Sequence, residues 1–80
     1  MRIEIILKSY YPKKFWGGER ERLIDVPEGT TCDEALKLQG IDYREIPRFG
    51  FVAINNKRVL IDHILHDGDE MRVYPRMNGG

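Results

Sequence analysis

L-H-D-G-D-E-M-R-V-Y-P-R-M-N-G-G, residues 65–80, decides the fold. Asp67-Gly68-Asp69 has the composition of a tight turn, because glycine tolerates backbone angles that other residues resist and aspartate bonds its own backbone. Glu70 to Pro75 then alternate, with Met71 and Val73 on one face and Arg72 and Tyr74 on the other, the period of a half-buried strand. Pro75 closes that strand, since it has no N–H to give to a sheet ladder. The last five residues, Arg76 to Gly80, have little to pack and form a tail outside the domain of residues 1–75.

Upstream, Phe51-Val52-Ala53-Ile54-Asn55 is a strand, Asn55-Asn56 a hairpin turn, and Arg58-Val59-Leu60-Ile61 the return. At the other end, Ile3, Ile5 and Leu7 alternate with Arg2, Glu4 and Lys8 in a first strand over 2–9. A second strand over 20–26 puts Ile24 and Val26 inward, because the opposite register would bury Asp25 unpaired. Between them, Tyr10 to Gly18 form a loop interrupted by Pro12, Gly17 and Gly18. Thr31 followed three residues later by Glu34 is a capping box that opens a helix over 32–39, and Gly40 stops it. Cys32, Ala35 and Leu36 share one face of that helix. Residues 41–50 read as an irregular connection anchored by Ile41 and Ile46. Two strands, one helix, then two or three strands make an α+β arrangement: one mixed sheet of four to five strands with one helix across it.

Composition narrows the function. Eighty residues make one domain with one modest core. A ligand pocket of roughly 300–1,000 Å³ is hard to enclose at that size, which favours a binding module or carrier. Hydrophobic residues at 41% and a net charge of zero argue against disorder and against a general pull toward nucleic acid or anionic lipid. No apolar run approaches the roughly 18 residues of a membrane helix, and Met1 leads straight into a strand pattern rather than a signal peptide. A single cysteine forms no internal disulfide, which points to a reducing, cytoplasmic setting.

Terminal Gly79-Gly80 is the most suggestive feature. At an average glycine usage near 7%, such a pair ends roughly one sequence in 200, so its weight comes from placement after a strand end. Two residues without side chains let a backbone enter a narrow channel, and what they present is an α-carboxylate. A carboxylate becomes an acyl donor once it is joined to a nucleotide as a mixed anhydride.

Taken together, Val52-Ala53-Ile54-Asn55, the Asn56-Lys57 turn, the L-x-D-G-D run of Leu65, Asp67, Gly68 and Asp69, the strand Glu70 to Pro75 and the final Gly79-Gly80 resemble the ubiquitin-like β-grasp sulfur carriers. That ThiS/MoaD-like family includes the small subunit of molybdopterin synthase and the thiamine-biosynthesis sulfur carrier. The resemblance implies a β-grasp fold and a carrier that is a co-substrate rather than an enzyme. It implies adenylation of the Gly80 carboxylate by an E1-like activating enzyme using ATP and magnesium, with no cofactor bound by the carrier itself. A C-terminal thiocarboxylate would follow, with sulfur delivered to a synthase subunit in molybdopterin (molybdenum or tungsten cofactor) biosynthesis. Thiamine biosynthesis, or attachment to proteins as a modifier, is the near alternative. Gly79 would give the tail access, and Arg72, Tyr74, Arg76, Met77 and Phe51 are docking candidates. The chain departs from the molybdopterin branch where that branch often has a second proline and a small residue, and Arg76, Met77 and Asn78 stand instead.

Other groupings have plainer explanations. Tyr10, Tyr11, Lys13, Lys14, Phe15 and Trp16 mix aromatic and basic residues as single-stranded nucleic-acid binders do, but zero net charge favours aromatics that cap the core or meet a protein. His63 and His66 with Asp62, Asp67 and Asp69 could sketch a metal site, yet turn chemistry already accounts for the aspartates. Cys32 reads as buried and structural. Ile6 and Phe51 lie off the inward faces and suit an exposed apolar patch. A β-grasp interaction module with an inert tail is the reading from a different functional class.

Overall fold

The computed structural model describes residues 1–11, 20–46 and 48–76. Among the described residues, five strands and one helix follow in the order β1 (Arg2–Ser9), β2 (Glu21–Pro27), α1 (Cys32–Leu38), β3 (Phe49–Ile54), β4 (Lys57–Val59) and β5 (Glu70–Pro75). They form one mixed sheet in the order β2-β1-β5-β3-β4, in which only β1 and β5 run parallel. The first and last strands are therefore neighbours near the sheet centre.

Alternation sets the two faces. Ile3, Ile5 and Leu7 of β1, Ile24 and Val26 of β2, Val52 and Ile54 of β3, and Met71 and Val73 of β5 are buried beneath Cys32, Ala35 and Leu36 of α1. Asp25 is exposed, as the inferred register requires. Arg2, Glu4, Ile6, Lys8, Leu23, Phe51, Arg72 and Tyr74 stand on the opposite, open face, by the same alternation and pairing.

Helix α1 has only seven residues and depends on its ends and its packing. Thr31 and Glu34 form the reciprocal capping box. The next free N–H groups, those of Cys32 and Asp33, donate to the carbonyls of His63 and Ile61, both at 2.9 Å. This ties the helix start to the connection between β4 and β5. At the other end, the Gly40 N–H donates to Lys37 and the Ile41 N–H to Leu36, with Gly40 at φ +80°. That is a Schellman motif, and Leu36 and Ile41 supply its buried apolar contact.

Several expected boundaries shift, that of the second strand by one residue, from 20–26 to Glu21–Pro27. The helix ends at Leu38, with Gln39 as its C-cap. Strand β3 starts at Phe49, inside the stretch read as irregular, because a bulge lets Phe49 pair with Pro75. The return strand covers Lys57–Val59, not 58–61, since a turn follows in which the His63 N–H donates to the Leu60 carbonyl. Asn55 and Asn56, at φ +51° and +71°, are the two central residues of the β3–β4 turn, as the mirror-image hairpin turn requires. Ile46 packs at the core margin with Tyr43 and Phe49.

Candidate functional site: the open sheet face and the end of the last strand

The L-x-D-G-D and V-A-I-N segments meet each other in space, and their chemistry is structural. The Asn55 side chain donates to Asp69 Oδ1 and accepts from the Glu70 N–H, both at 3.0 Å. Asp69 Oδ2 accepts from the His66 N–H at 2.8 Å, and Asp67 Oδ1 accepts from the Glu4 N–H at 2.8 Å. The Gly68 N–H donates to the Glu4 carbonyl at 2.8 Å, and the Ile6 N–H to the Asp69 carbonyl at 3.0 Å. The D-G-D turn thus sets the parallel register of β5 against β1, and Asn55 locks the β3–β4 hairpin onto the same point.

With their oxygens so committed, Asp67 and Asp69 are poorly placed as metal ligands. Among the described residues no group of three or more His, Cys, Asp or Glu is gathered for a metal ion. The hollow beside His63, lined by Arg58, Val59, Leu60 and Asp62, is an open trough on the surface.

The open face carries a row of aromatic rings. Tyr10, just past β1, stacks on Tyr74 of β5 at 4.7 Å between centroids and 4° between planes. Tyr74 stacks in turn on Phe51 of β3 at 4.7 Å and 19°. The Arg58 guanidinium of β4 covers Phe51 at 4.9 Å from the ring centroid. The spacing matches the separation of neighbouring strands, about 4.7–4.9 Å, so the rings stand up from the sheet like a ladder. Both faces of Tyr74 and Phe51 are therefore occupied, and what these two rings offer a partner is their edges. Such edges suit a protein surface better than a nucleobase, which stacks on faces.

Beside the ladder lies a charge network. The Arg72 Nε donates to Glu70 Oε1 at 2.7 Å, and Lys8 Nζ lies 3.3 Å from Glu70 Oε2. Partial burial works to raise the Glu70 carboxyl, but hydrogen bonds and charge from Lys8 and Arg72 outweigh it and hold the group below its usual value. Hydrogen bonding to Tyr74 and to Glu70, against some desolvation, raises the Arg72 guanidinium further. Arg72 is thereby fixed beside the ladder. Ile6 lies opposite Leu23 on the same face, half-buried, and Leu23 is 61% exposed.

The last strand leaves the sheet next to the ladder. Arg76 is exposed, and its N–H donates to the Arg48 carbonyl at 2.5 Å. Of the candidate site residues, Phe51, Arg72 and Tyr74 are brought together on the open face, and Arg76 follows at its edge. Met77, Gly79 and Gly80 lie outside the described residues, as do Lys13, Lys14, Phe15 and Trp16 of the aromatic-basic loop. Its first two residues divide the expected roles. Tyr11 caps the core, 1% exposed, and Tyr10 joins the ladder. Sequence reading missed Arg58, Arg48 and Gly50; the positions of Arg58 and Phe51 in the hairpin were a usable signal for the first.

Cys32 is fully buried, and desolvation first, then the Asp69 charge, push its thiol up to about 12. That is the behaviour of a structural cysteine.

A parallel pair of first and last strands, a hairpin and helix α1 laid across a five-stranded mixed sheet define a ubiquitin-like β-grasp protein. The ThiS family model matches residues 11–80, and the chain belongs to that family. It thus has the fold of the ubiquitin-like sulfur carriers and modifiers. The structure is similar to that of a Pyrococcus furiosus protein provisionally described as molybdopterin converting factor, subunit 1. The TM-score is 0.73 and the identity 20%, over 94% of this chain and 99% of that one. It is also similar to the small archaeal modifier protein 1 of Haloferax volcanii, with a TM-score of 0.73 and 21% identity over 94% and 99% of the two chains. Urm1 from Trypanosoma brucei gives a TM-score of 0.64 at 14% identity over 99% and 97%. At these identities the likenesses establish the fold. No curated protein gives a significant match. Among the described residues, no helix is long and apolar enough to cross a membrane.

Proposed function

We propose that this protein is a sulfur carrier that works through a terminal carboxylate on Gly80. The observation that carries the reading is the course of β5. The strand lies near the sheet centre, ends at Pro75 beside the Tyr10–Tyr74–Phe51 ladder, and leads directly into Arg76-Met77-Asn78-Gly79-Gly80. A rigid body with an edge-presenting apolar ridge is thereby joined to a short chain whose last residues carry no side chain.

In the proposed reaction, a Gly80 carboxylate oxygen attacks the α-phosphorus of ATP in an activating enzyme that also holds magnesium, and pyrophosphate leaves. A hydrosulfide-equivalent nucleophile then adds at the acyl carbon, AMP leaves, and the thiocarboxylate remains. The carrier supplies docking and the acyl group; the pockets belong to its partners. Phe51, Tyr74 and Arg72 provide the docking ridge, with Arg76 at its edge and Met77 beyond, and Gly79 lets the tail thread a channel.

Within this class, the sulfur is donated in molybdopterin biosynthesis. The P-x-x-x-G-G ending supports that branch, and so does the likeness to the Pyrococcus furiosus protein described as molybdopterin converting factor, subunit 1. A thiamine-pathway carrier or a protein modifier shares the same first step, and the second is favoured by the likeness to the small archaeal modifier protein 1.

The test is adenylation. The protein is mixed with its cognate activating enzyme, ATP and magnesium, and pyrophosphate release is followed. Release that depends on the carrier and disappears on deleting Gly80, with binding to the enzyme retained, is the expected result. Binding without any pyrophosphate release would instead identify an interaction module with an inert tail.

A further inference from the structure

We propose that Gly50, together with Arg48, is a positioning residue that fixes the direction in which the C-terminal tail leaves the sheet. The proposal rests on the carrier reading, because it concerns how that tail is presented to the activating enzyme.

Strand β3 carries a bulge at this point. Phe49 pairs with Pro75 and Phe51 with Tyr74, so Gly50 is the extra residue on β3 between two successive rungs of β5. Its φ does not lie in the left-handed range, so the glycine is not needed for backbone freedom. It is needed for space. A Cβ at position 50 would lie 2.7 Å from the Pro75 carbonyl oxygen and 2.8 Å from both the Pro75 carbonyl carbon and the Tyr74 carbonyl oxygen. All three are backbone atoms, which cannot rotate aside as the end of a side chain can. The final peptide of β5 is seated directly on a surface that only glycine provides.

The neighbouring contacts complete a clamp. Pro75 has no N–H, so the next backbone donor is Arg76, and it reaches the Arg48 carbonyl. Arg48 itself adopts φ +56°, a conformation uncommon for a residue with a side chain. Beneath the bulge lies the buried Tyr11, whose hydroxyl is approached by the Gly50 backbone. The β5 end is therefore gripped from the β3 side by Arg48 and Gly50, and the Pro75 ring limits its own backbone.

Such a grip matters for a short lever. Residues 76–80 span at most about 17 Å when extended. A small tilt at the root moves the far carboxylate by several ångströms, and a misplacement of about 1 Å costs up to roughly 10²-fold in rate. The Gly50 contact delivers the tail already aimed.

Two variants and a control test this. Gly50→Ala is expected to lower kcat for pyrophosphate release at least tenfold, while KM for the carrier changes less than threefold because the aromatic ladder still docks. Gly68→Ala is the control: Gly68 has φ +85° and no atom within 4 Å of an added Cβ, so the change strains the D-G-D turn far from the tail. It is expected to lose stability and keep kcat within twofold. Equal kcat for the Gly50 and Gly68 variants, both measured where they are fully folded, overturns the proposal. If Gly50→Ala does not fold, Pro75→Gly loosens the same contact without a clash and is expected to show the same kcat loss; wild-type kcat there overturns it equally. Hydrogen exchange at the Arg76 amide separates the clamp from the carrier reading. Protection in the wild type that is lost in Gly50→Ala supports the clamp even if no pyrophosphate is ever released, an outcome that would sink only the carrier. An unprotected Arg76 amide in the wild type removes the clamp whatever the enzyme assay gives.

Discussion

At the first position of α1, a solvent-facing cysteine would meet free backbone N–H groups that favour its thiolate. Cys32 is instead buried among Ala35, Leu36 and the sheet, and the helix N–H groups beside it are taken by His63 and Ile61. Desolvation then outweighs every other influence and lifts the thiol from 9.0 to about 12. The consequence for stability has a definite sign. Above pH 9 the unfolded chain loses the thiol proton and the folded chain keeps it, so each further unit up to about 12 favours unfolding. Denaturation followed from pH 8 to 11 should therefore show a steeper loss for the wild type than for Cys32→Ala. Alkylation at neutral pH should also reach Cys32 only on unfolding. Matching pH profiles for the two proteins would contradict the buried, protonated thiol. Burial of this residue was legible from its phase with Ala35 and Leu36, whereas the carbonyls that complete the helix start come from a segment thirty residues away.

At the scale of elements, the main joint is between the β3–β4 hairpin and the D-G-D turn that opens β5. Asn55 serves both at once. Its φ of +51° suits the mirror-image turn, and its side chain bonds Asp69 and the Glu70 N–H. Asn55→Ala should lower the unfolding free energy by about 2–3 kcal/mol, from the loss of a charge-assisted bond plus a side chain that tolerates the left-handed region. Asn55→Gly, which keeps the turn but not the bonds, should lose less. Chemical denaturation checks both, and an Asn55→Ala loss below about 0.5 kcal/mol would show the joint to be incidental.

The strands, their inward faces, the capping box and the turns were legible because each is set by neighbours in sequence. Strand order and the start of β3 were not. The parallel β1–β5 pairing depends on Glu4, Ile6, Asp67, Gly68 and Asp69 meeting across the whole chain, and the bulge at Gly50 answers to Pro75, twenty-five residues on. Of the site, Phe51, Arg72 and Tyr74 could be chosen from alternation and proximity to the tail. Tyr10 and Arg58 join them only through the lateral order of the strands.

For the molecule as a whole, small size and balanced charge have one explanation. The hollow lined by Arg58, Val59, Leu60, Asp62 and His63 is open to solvent, and a carrier needs no enclosed pocket if the reacting group is a terminal carboxylate, as proposed. One face of the sheet is spent on the core, and the other presents the aromatic ladder with the Lys8–Glu70–Arg72 network beside it. The strand that leads into the tail, β5, runs at the centre of that sheet beside the ladder. Conversion of Gly80 to a thiocarboxylate, as proposed, is read directly from the intact mass of the protein purified from its own cells. The expected species is heavier by the difference between one sulfur and one oxygen, located in the C-terminal peptide and returned to the carboxylate mass by hydrolysis. A population carrying only the ordinary Gly80 carboxylate, even from cells whose activating enzyme is active, would contradict it.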